Sequence, residues 1–194
     1  MGFFLTRLGK NPVFLRHFGD RAHYHLKEGG ILSPGKAAER YRSLLSKVEV
    51  LLDAEATRWG DFYEEEALGM DTLEWEYLTS DEGWLFREFF PKRTEILRQQ
   101  LKKSGLYPKL EAPILTWKRS PDGKLSFAAE NPNPAGEIFF SRTGQDPASS
   151  DVPEEIERFN GEFVTVSEKA QICARVSLDD QWSALDSIRI PFNP

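Results

Sequence analysis

One cysteine, two methionines and three histidines are all that the 194 residues hold of the side chains most used for soft-metal and thiol chemistry. A lone thiol excludes an internal disulfide framework and any zinc site made from paired Cys-x-x-Cys ligands. Positive charge is also short: 25 Lys and Arg stand against 31 Asp and Glu, a formal charge of -6 with no basic cluster. That balance opposes nucleic acid and anionic membrane surfaces, both of which select for grouped cations. No apolar run approaches the length of a membrane span, so no membrane insertion is expected. Arg7 and Lys10 break the amino-terminal apolar patches before a signal-peptide core could form, and Met1-Gly2 is only a weak acylation motif. Phosphate-handling strings are missing too, with no Gly-rich loop, no G-x-x-x-x-G-K-[ST], no H-R-D and no D-F-G. No cofactor, no metal and no catalytic residue is therefore expected, and localisation stays unknown from the residues alone.

What is there is ordinary for a globular chain: 40% apolar and 29% charged residues, enough to bury one large core or two small ones. The spacing of the apolar residues changes near "SGLYPKLEAP". Before it the period is helical; after it the period is close to two, with turn signals between short runs. The expected class is α+β, a helical domain over 1–107 packed against an antiparallel, immunoglobulin-like β-sandwich over 108–194.

In the first half, Asn11-Pro12 predicts a capped helix start, with a stripe of Phe14, Phe18, Ala22 and Leu26 and a stop at Gly29-Gly30. Ser33-Pro34 opens the next helix, whose stripe of Tyr41, Leu44, Leu45, Val48, Leu51 and Leu52 is the clearest helical signal in the chain. Gly60, in "AEATRWGD", is expected to end it. Residues 61 to 82 predict an acidic, aromatic connection with one short helix, and with Trp75, Tyr77 and Trp84 packed onto the helices. Ser80 or Asp81 then caps a helix with Trp84, Leu85 and Phe89 inward; Pro91 interrupts or kinks it, and a further helix ends at Gly105. In the second half, strands are predicted at 114–117, 125–129, 138–140, 163–166, 172–176 and 188–192.

Two resemblances follow from these strings. "NPVFLRHFGDRAHYHLKEGGILSPGKAAERY", "AEATRWGD" and "FFPKRTEILRQQLKKSGLYPKLEAP" resemble the C-terminal helical portion of CotH-type spore-coat kinase proteins over residues 1 to about 113. "NPNPAGEIFFSRTGQDP" and "ICARVSLDDQWSAL" resemble the chitobiase C-terminal, or fibronectin-type-III-associated, sandwich, with Thr143 where that family has the first Asp of its D-G-x-D-P turn. The first resemblance implies that nucleotide- and metal-binding residues lie upstream of these residues. The implied role is a non-catalytic structural or binding module, the accessory end of a CotH-like exported or cell-surface protein. Its implied partner is a protein or surface polymer, with a glycan included. The alternatives are part of an atypical phosphotransferase with its active site upstream, and a carbohydrate-binding module.

Individual residues divide between structural and functional readings. Arg58, Trp59, Gly60 and Asp61 are expected to lock a helix end as a structural motif. Trp117 and Trp182 are the candidates for stacking on a sugar ring, against a competing place in the core. His23 and His25 lie about 200° apart on a helix, which prevents convergence on one ion and predicts, with His17, surface histidines. Asp20-Arg21 falls inside an amphipathic helix and not in a catalytic loop, which predicts an ion pair within or between helices. Glu64, Glu65, Glu66, Asp71, Glu74 and Glu76 lack the spacing of a calcium loop and read as a solvated connection. Cys173, between Ile172 and Ala174, is expected on a strand and not as a nucleophile.

Overall fold

A computed structural model describes residues 7–66, 80, 83–149, 153–166 and 170–190. Its class is α+β: three helices in the N-terminal part and antiparallel sheets in the C-terminal part. The compact units are Met1–Tyr24 together with Leu101–Pro194, and His25–Gln100. The change of apolar period near Pro108 therefore marks a change of secondary structure, while the first helix up to Tyr24 clusters with the strands.

Helix α1 spans Pro12–Leu26. Asn11 Oδ1 accepts from the backbone N–H groups of Val13 (2.9 Å) and Phe14 (3.2 Å), satisfying donors that a helix start leaves orphaned. Beyond its end, Leu32 N–H returns to His25 O at 2.8 Å. The turn admits only glycine at position 30, where a Cβ would lie 2.5 Å from His25 O.

Helix α2 spans Pro34–Glu66. Gly60 does not stop it. A glycine inside a helix costs roughly 1 kcal/mol relative to alanine without forbidding it, and no proline follows to enforce an end. The stripe read from the sequence is only partly covered among the described side chains. Tyr41 meets the rings of Phe86 (5.9 Å) and Phe90 (5.5 Å), whereas Leu44, Val48 and Leu51 are exposed.

Pro91 does not break the chain's third helix either. A single π-helical stretch, Leu85–Phe89, runs directly into α3, Phe90–Lys103. Pro91 thus falls in the first α-helical turn, where its missing N–H removes no α-helical bond. The wider turn also moves the ring phase: Phe86 and Phe90 meet Tyr41, and Trp84, expected inward, is 51% exposed. Gly105, at φ 73°, closes α3 with Leu106 N–H bonded to Leu101 O.

The strands are β1 Ile114–Arg119, β2 Leu125–Glu130, β3 Glu137–Ser141, β4 Glu157–Arg158, β5 Val164–Val166, β6 Ala170–Leu178, β7 Gln181–Trp182 and β8 Asp186–Ile190. One sheet has the order β1-β2-β5; the other runs β4-β3-β6-β7, with β8 also on β6. Their apolar faces share one core. Leu125, Phe127 and Val166 come from the first sheet, and Ile138, Phe140, Ile172, Ala174, Val176 and Ile190 from the second. Phe127 stands edge-on to Phe140 at 5.0 Å, and each such ring contributes roughly 1.5–3 kcal/mol by leaving water. A second, smaller cluster of Tyr107, Ala112 and Ala184 takes Ala22 and Leu101 against it.

Strand β6 is buried without a break from Ile172 to Val176. Alternation sends Ile172, Ala174 and Val176 to the shared core and leaves Cys173 and Arg175 on the other face of the sheet. What covers that second face makes the site.

Candidate functional site

Arg175 is fully buried, at 0% exposure. A guanidinium carries five N–H donors, and here five bonds consume them. Nε donates to Asp146 Oδ1; Nη1 donates to Asp20 Oδ1 (2.9 Å) and to Ser183 O (2.6 Å); Nη2 donates to Asp20 Oδ2 (2.7 Å) and Asp146 Oδ2 (2.8 Å). Both carboxylates are held in the two-pronged geometry that suits a planar fork.

Each partner is positioned by its own element. Asp20 projects from α1, and its Oδ1 also accepts Leu185 N–H at 2.9 Å. Asp146 sits in the turn after β3, where its side chain accepts Ala148 N–H and its backbone carbonyl accepts Ser149 N–H. Arg16, one helical turn before Asp20, donates to Ala148 O at 3.0 Å. Ser183 and Leu185 lie in a β-bulge. Ala174 pairs with Asp186 and Ser177 with Trp182, so Arg175 and Val176 stand opposite three residues, Ser183 to Leu185. The extra residue frees Ser183 O and Leu185 N–H from the ladder, and the brace takes both. Ser183 Oγ meanwhile accepts Val176 N–H, so little is orphaned.

The electrostatics follow from this closure. Burial pushes the Asp146 carboxyl up, but hydrogen bonds and charge from Arg175 outweigh it and hold the group below its ordinary range. Burial likewise opposes the Arg175 charge, and the hydrogen bonds and charges of Asp146 and Asp20 more than restore it. Cys173 on the same strand has its thiol pushed up to about 11, by burial first and then by Asp146. A thiol of that kind, 1% exposed, is no nucleophile.

Below the brace lies a second polar contact. His23 Nδ1 is 2.8 Å from the Tyr107 hydroxyl, and its Nε2 is 3.6 Å from Asp186 Oδ1. The imidazole tautomer sets which of His23 Nδ1 and the Tyr107 hydroxyl donates. Gly19 lets α1 approach closely here, since a Cβ on it would stand 2.9 Å from Pro108 Cδ.

Several expectations are corrected by this arrangement. Asp20 pairs with a strand arginine 155 positions away, not with a helical neighbour such as Arg21. His23 is not on the surface, its side chain being 14% exposed, whereas His17 is exposed. Thr143 donates to Glu155 and meets Ser141 Oγ at 2.9 Å; the second carboxylate beside Asp146 comes from Asp20 of the helix. The helix-lock motif is not at a helix end, because α2 continues past it. Arg58 is exposed, and the side chains of Trp59 and Asp61 lie outside the described residues. Glu64, Glu65 and Glu66 belong to α2, while Asp71, Glu74, Glu76, Trp75 and Tyr77 lie outside the described residues. Trp117 and Trp182 are on different sheets: Trp117 on edge strand β1 is 42% exposed, and Trp182 on β7 stands edge-on to Phe139 at 5.7 Å.

In the helical unit an apolar recess of about 220 Å³ is lined by Leu26, Leu32, Ala37, Phe90 and Leu97 among others. Thr94 donates to Leu32 O there, and Arg93 stands among the lining side chains. Among the described residues no group of His, Cys, Asp and Glu is arranged to hold a metal ion, and no helix is long and apolar enough to cross a membrane. No protein-family model, curated protein or solved structure matches the chain.

Proposed function

We propose that this chain is a non-catalytic structural or binding module, the accessory end of a larger CotH-like exported or cell-surface protein. In this reading the strands form an immunoglobulin-like sandwich of the chitobiase C-terminal kind. The observation that supports it is the saturation of Arg175. Asp20 of "FGDR", Asp146 of "GQDP" and Arg175 of "ARV" come from three separate landmark strings, and all three are engaged in one buried brace. Phosphoryl transfer requires the opposite disposition, with carboxylates left open for metal and donors left open for phosphate. A guanidinium with five bonds has nothing to give a phosphate. The partner this reading implies is a polypeptide or surface polymer, taken on an outer face of strands or helices.

Titration calorimetry of the chain with ATP and Mg²⁺ tests the proposal. No saturable heat is expected; saturable binding at micromolar nucleotide would overturn it in favour of the phosphotransferase alternative. The carbohydrate alternative rests on Trp117, whose exposure on an edge strand leaves a ring face for a sugar. It requires a hit on a polysaccharide array that Trp117→Ala abolishes and Trp182→Ala weakens less.

A further inference from the structure

The chain contains five asparagines, and the residues that follow them divide them cleanly. Asn11, Asn131, Asn133 and Asn193 each precede a proline; Asn160 precedes Gly161. An asparagine side chain is lost when the backbone nitrogen of the next residue attacks its amide carbon. Proline has no N–H to become that nucleophile, so four of the five positions are closed to the reaction. Only Asn160 is open to it.

The local structure favours attack at this one place. Asn160 and Gly161 are exposed, in the connection between β4 and β5. Gly161 adopts φ 91°, and apart from its chain neighbours no heavy atom lies within 4 Å of the place a Cβ would take, so the glycine sits in open space. Glu162 N–H donates to Asn160 Oδ1 at 3.1 Å. That oxygen becomes the oxyanion when the amide carbon turns tetrahedral, and a backbone donor already in place lowers the cost of the charge that develops. The preceding residue is anchored: Phe159 N–H bonds Ile138 O, and its ring packs against Phe127 and Phe140. The nucleophile and its target are thus adjacent on one tethered turn, which converts the reaction into an intramolecular one.

We propose that Asn160–Gly161 is a site of spontaneous self-modification, in which Asn160 is deamidated through a cyclic imide. Gly161 N loses its proton and forms a bond to Asn160 Cγ; the Cγ–Nδ2 bond breaks, and the side-chain nitrogen leaves with protons as ammonia. Water then adds to one of the two imide carbonyls, giving aspartate or its β-linked isomer at position 160. The net change consumes one water and releases one ammonia, with no oxidation or reduction. It places a new negative charge in the loop that leads to β5 and, in the isomer, lengthens the backbone by one carbon just ahead of the Phe127–Val164 pairing. Asp122–Gly123 supplies the contrast. Its neighbour is also glycine, but its Cγ belongs to a carboxylate, ionised at neutral pH and so a poor electrophile, to which Ser120 Oγ donates and beside which Lys124 Nζ lies at 2.9 Å.

Peptide mapping by mass spectrometry decides the matter. The full chain is aged at physiological pH and temperature, digested with trypsin, and followed through the fragment Phe159–Lys169. That fragment is expected to gain about one mass unit and to split into two isomers, at a rate that Asn160→Gln abolishes. Gly161→Ala, which puts a methyl beside the nucleophile at a positive φ, is expected to slow the reaction at least about tenfold. Deamidation spread over the other asparagines, or an unchanged Phe159–Lys169 fragment after prolonged ageing, would overturn the proposal. Because Asn160→Gln removes the reacting group and leaves Gly161 in place, its result does not depend on whether the Gly161 variant folds well.

Discussion

Replacing Asp20 by alanine should cost this protein more than any other single charge removal on α1. The change deletes two bonds from Arg175 and one from Leu185 N–H. Charge-assisted bonds contribute roughly 1.5–3 kcal/mol each and a neutral one about 1, a gross loss of about 4–7 kcal/mol. Asp146 remains to neutralise Arg175, and the Asp20 side chain is 15% exposed, so water can enter part of the vacated space. The lower part of the range observed for broken buried pairs, about 3 kcal/mol, is the expected net loss. Asp20→Asn keeps an oxygen for Leu185 N–H and should lose roughly half as much. Asp146→Ala should also lose less than Asp20→Ala, because its side chain is 26% exposed. Arg21→Ala is the control. Arg21 is exposed and lies over the Tyr24 ring, so its loss should stay within about 0.5 kcal/mol. Urea unfolding followed by circular dichroism measures the global change, and amide exchange at Val176 reports the strand beside the brace. A loss below about 1 kcal/mol for Asp20→Ala, the level of a surface ion pair, would refute the claim that this cluster holds α1 on the sheet.

Acid should act on the same brace. The Asp146 carboxyl lies below its ordinary 3.8 in the folded state, so its contribution is complete above that value and is lost as pH falls through the depressed folded one. Urea midpoints that decline only below about pH 4, and less steeply in Asp146→Asn, are the expected result. Cys173 should resist maleimide in mildly alkaline buffer until denaturant is added, given a thiol pushed up to about 11; rapid labelling of the native chain would contradict its burial. Two glycines adjacent to the start of α2 should respond in opposite senses. Gly30→Ala drives a Cβ into His25 O and Lys27 O and is expected to destabilise by about 1–3 kcal/mol, whereas Gly35→Ala meets open space and should be neutral or stabilising by up to about 1 kcal/mol, both read as urea midpoints.

Local chemistry made much of this protein legible from its residues. Asn11-Pro12, Ser33-Pro34 and Gly105 act within one helical turn of themselves, and the elements begin or end where those residues direct. Short apolar runs between turn signals, two of them with clear period-two alternation, located six strands, because the pleat and its turns leave that mark whatever the partner strand is. Glycine at 60 and proline at 91 were poorer guides: whether such residues end a helix depends on the neighbouring turns, and a π-helical stretch absorbed one while α2 ran through the other. The two-residue strands β4 and β7 carry too few residues to show any period.

The brace belongs to the other category. "FGDR", "GQDP" and "ARV" were each visible as strings, yet nothing in their separation along the chain says that Asp20, Asp146 and Arg175 meet. A charge in the middle of a strand is legible; which carboxylates neutralise it is decided only when α1 covers the outer face of β6 and a bulge at Ser183 to Leu185 turns two backbone groups toward it. Reactivity at Asn160 sits at the opposite extreme, since attacker and target are consecutive residues and the fold adds only exposure and one donor. The sequence determined elements and short-range chemistry because both act over a few bonds; long-range pairing of buried charge needed the tertiary structure, because desolvation has no meaning until the faces that exclude water have come together.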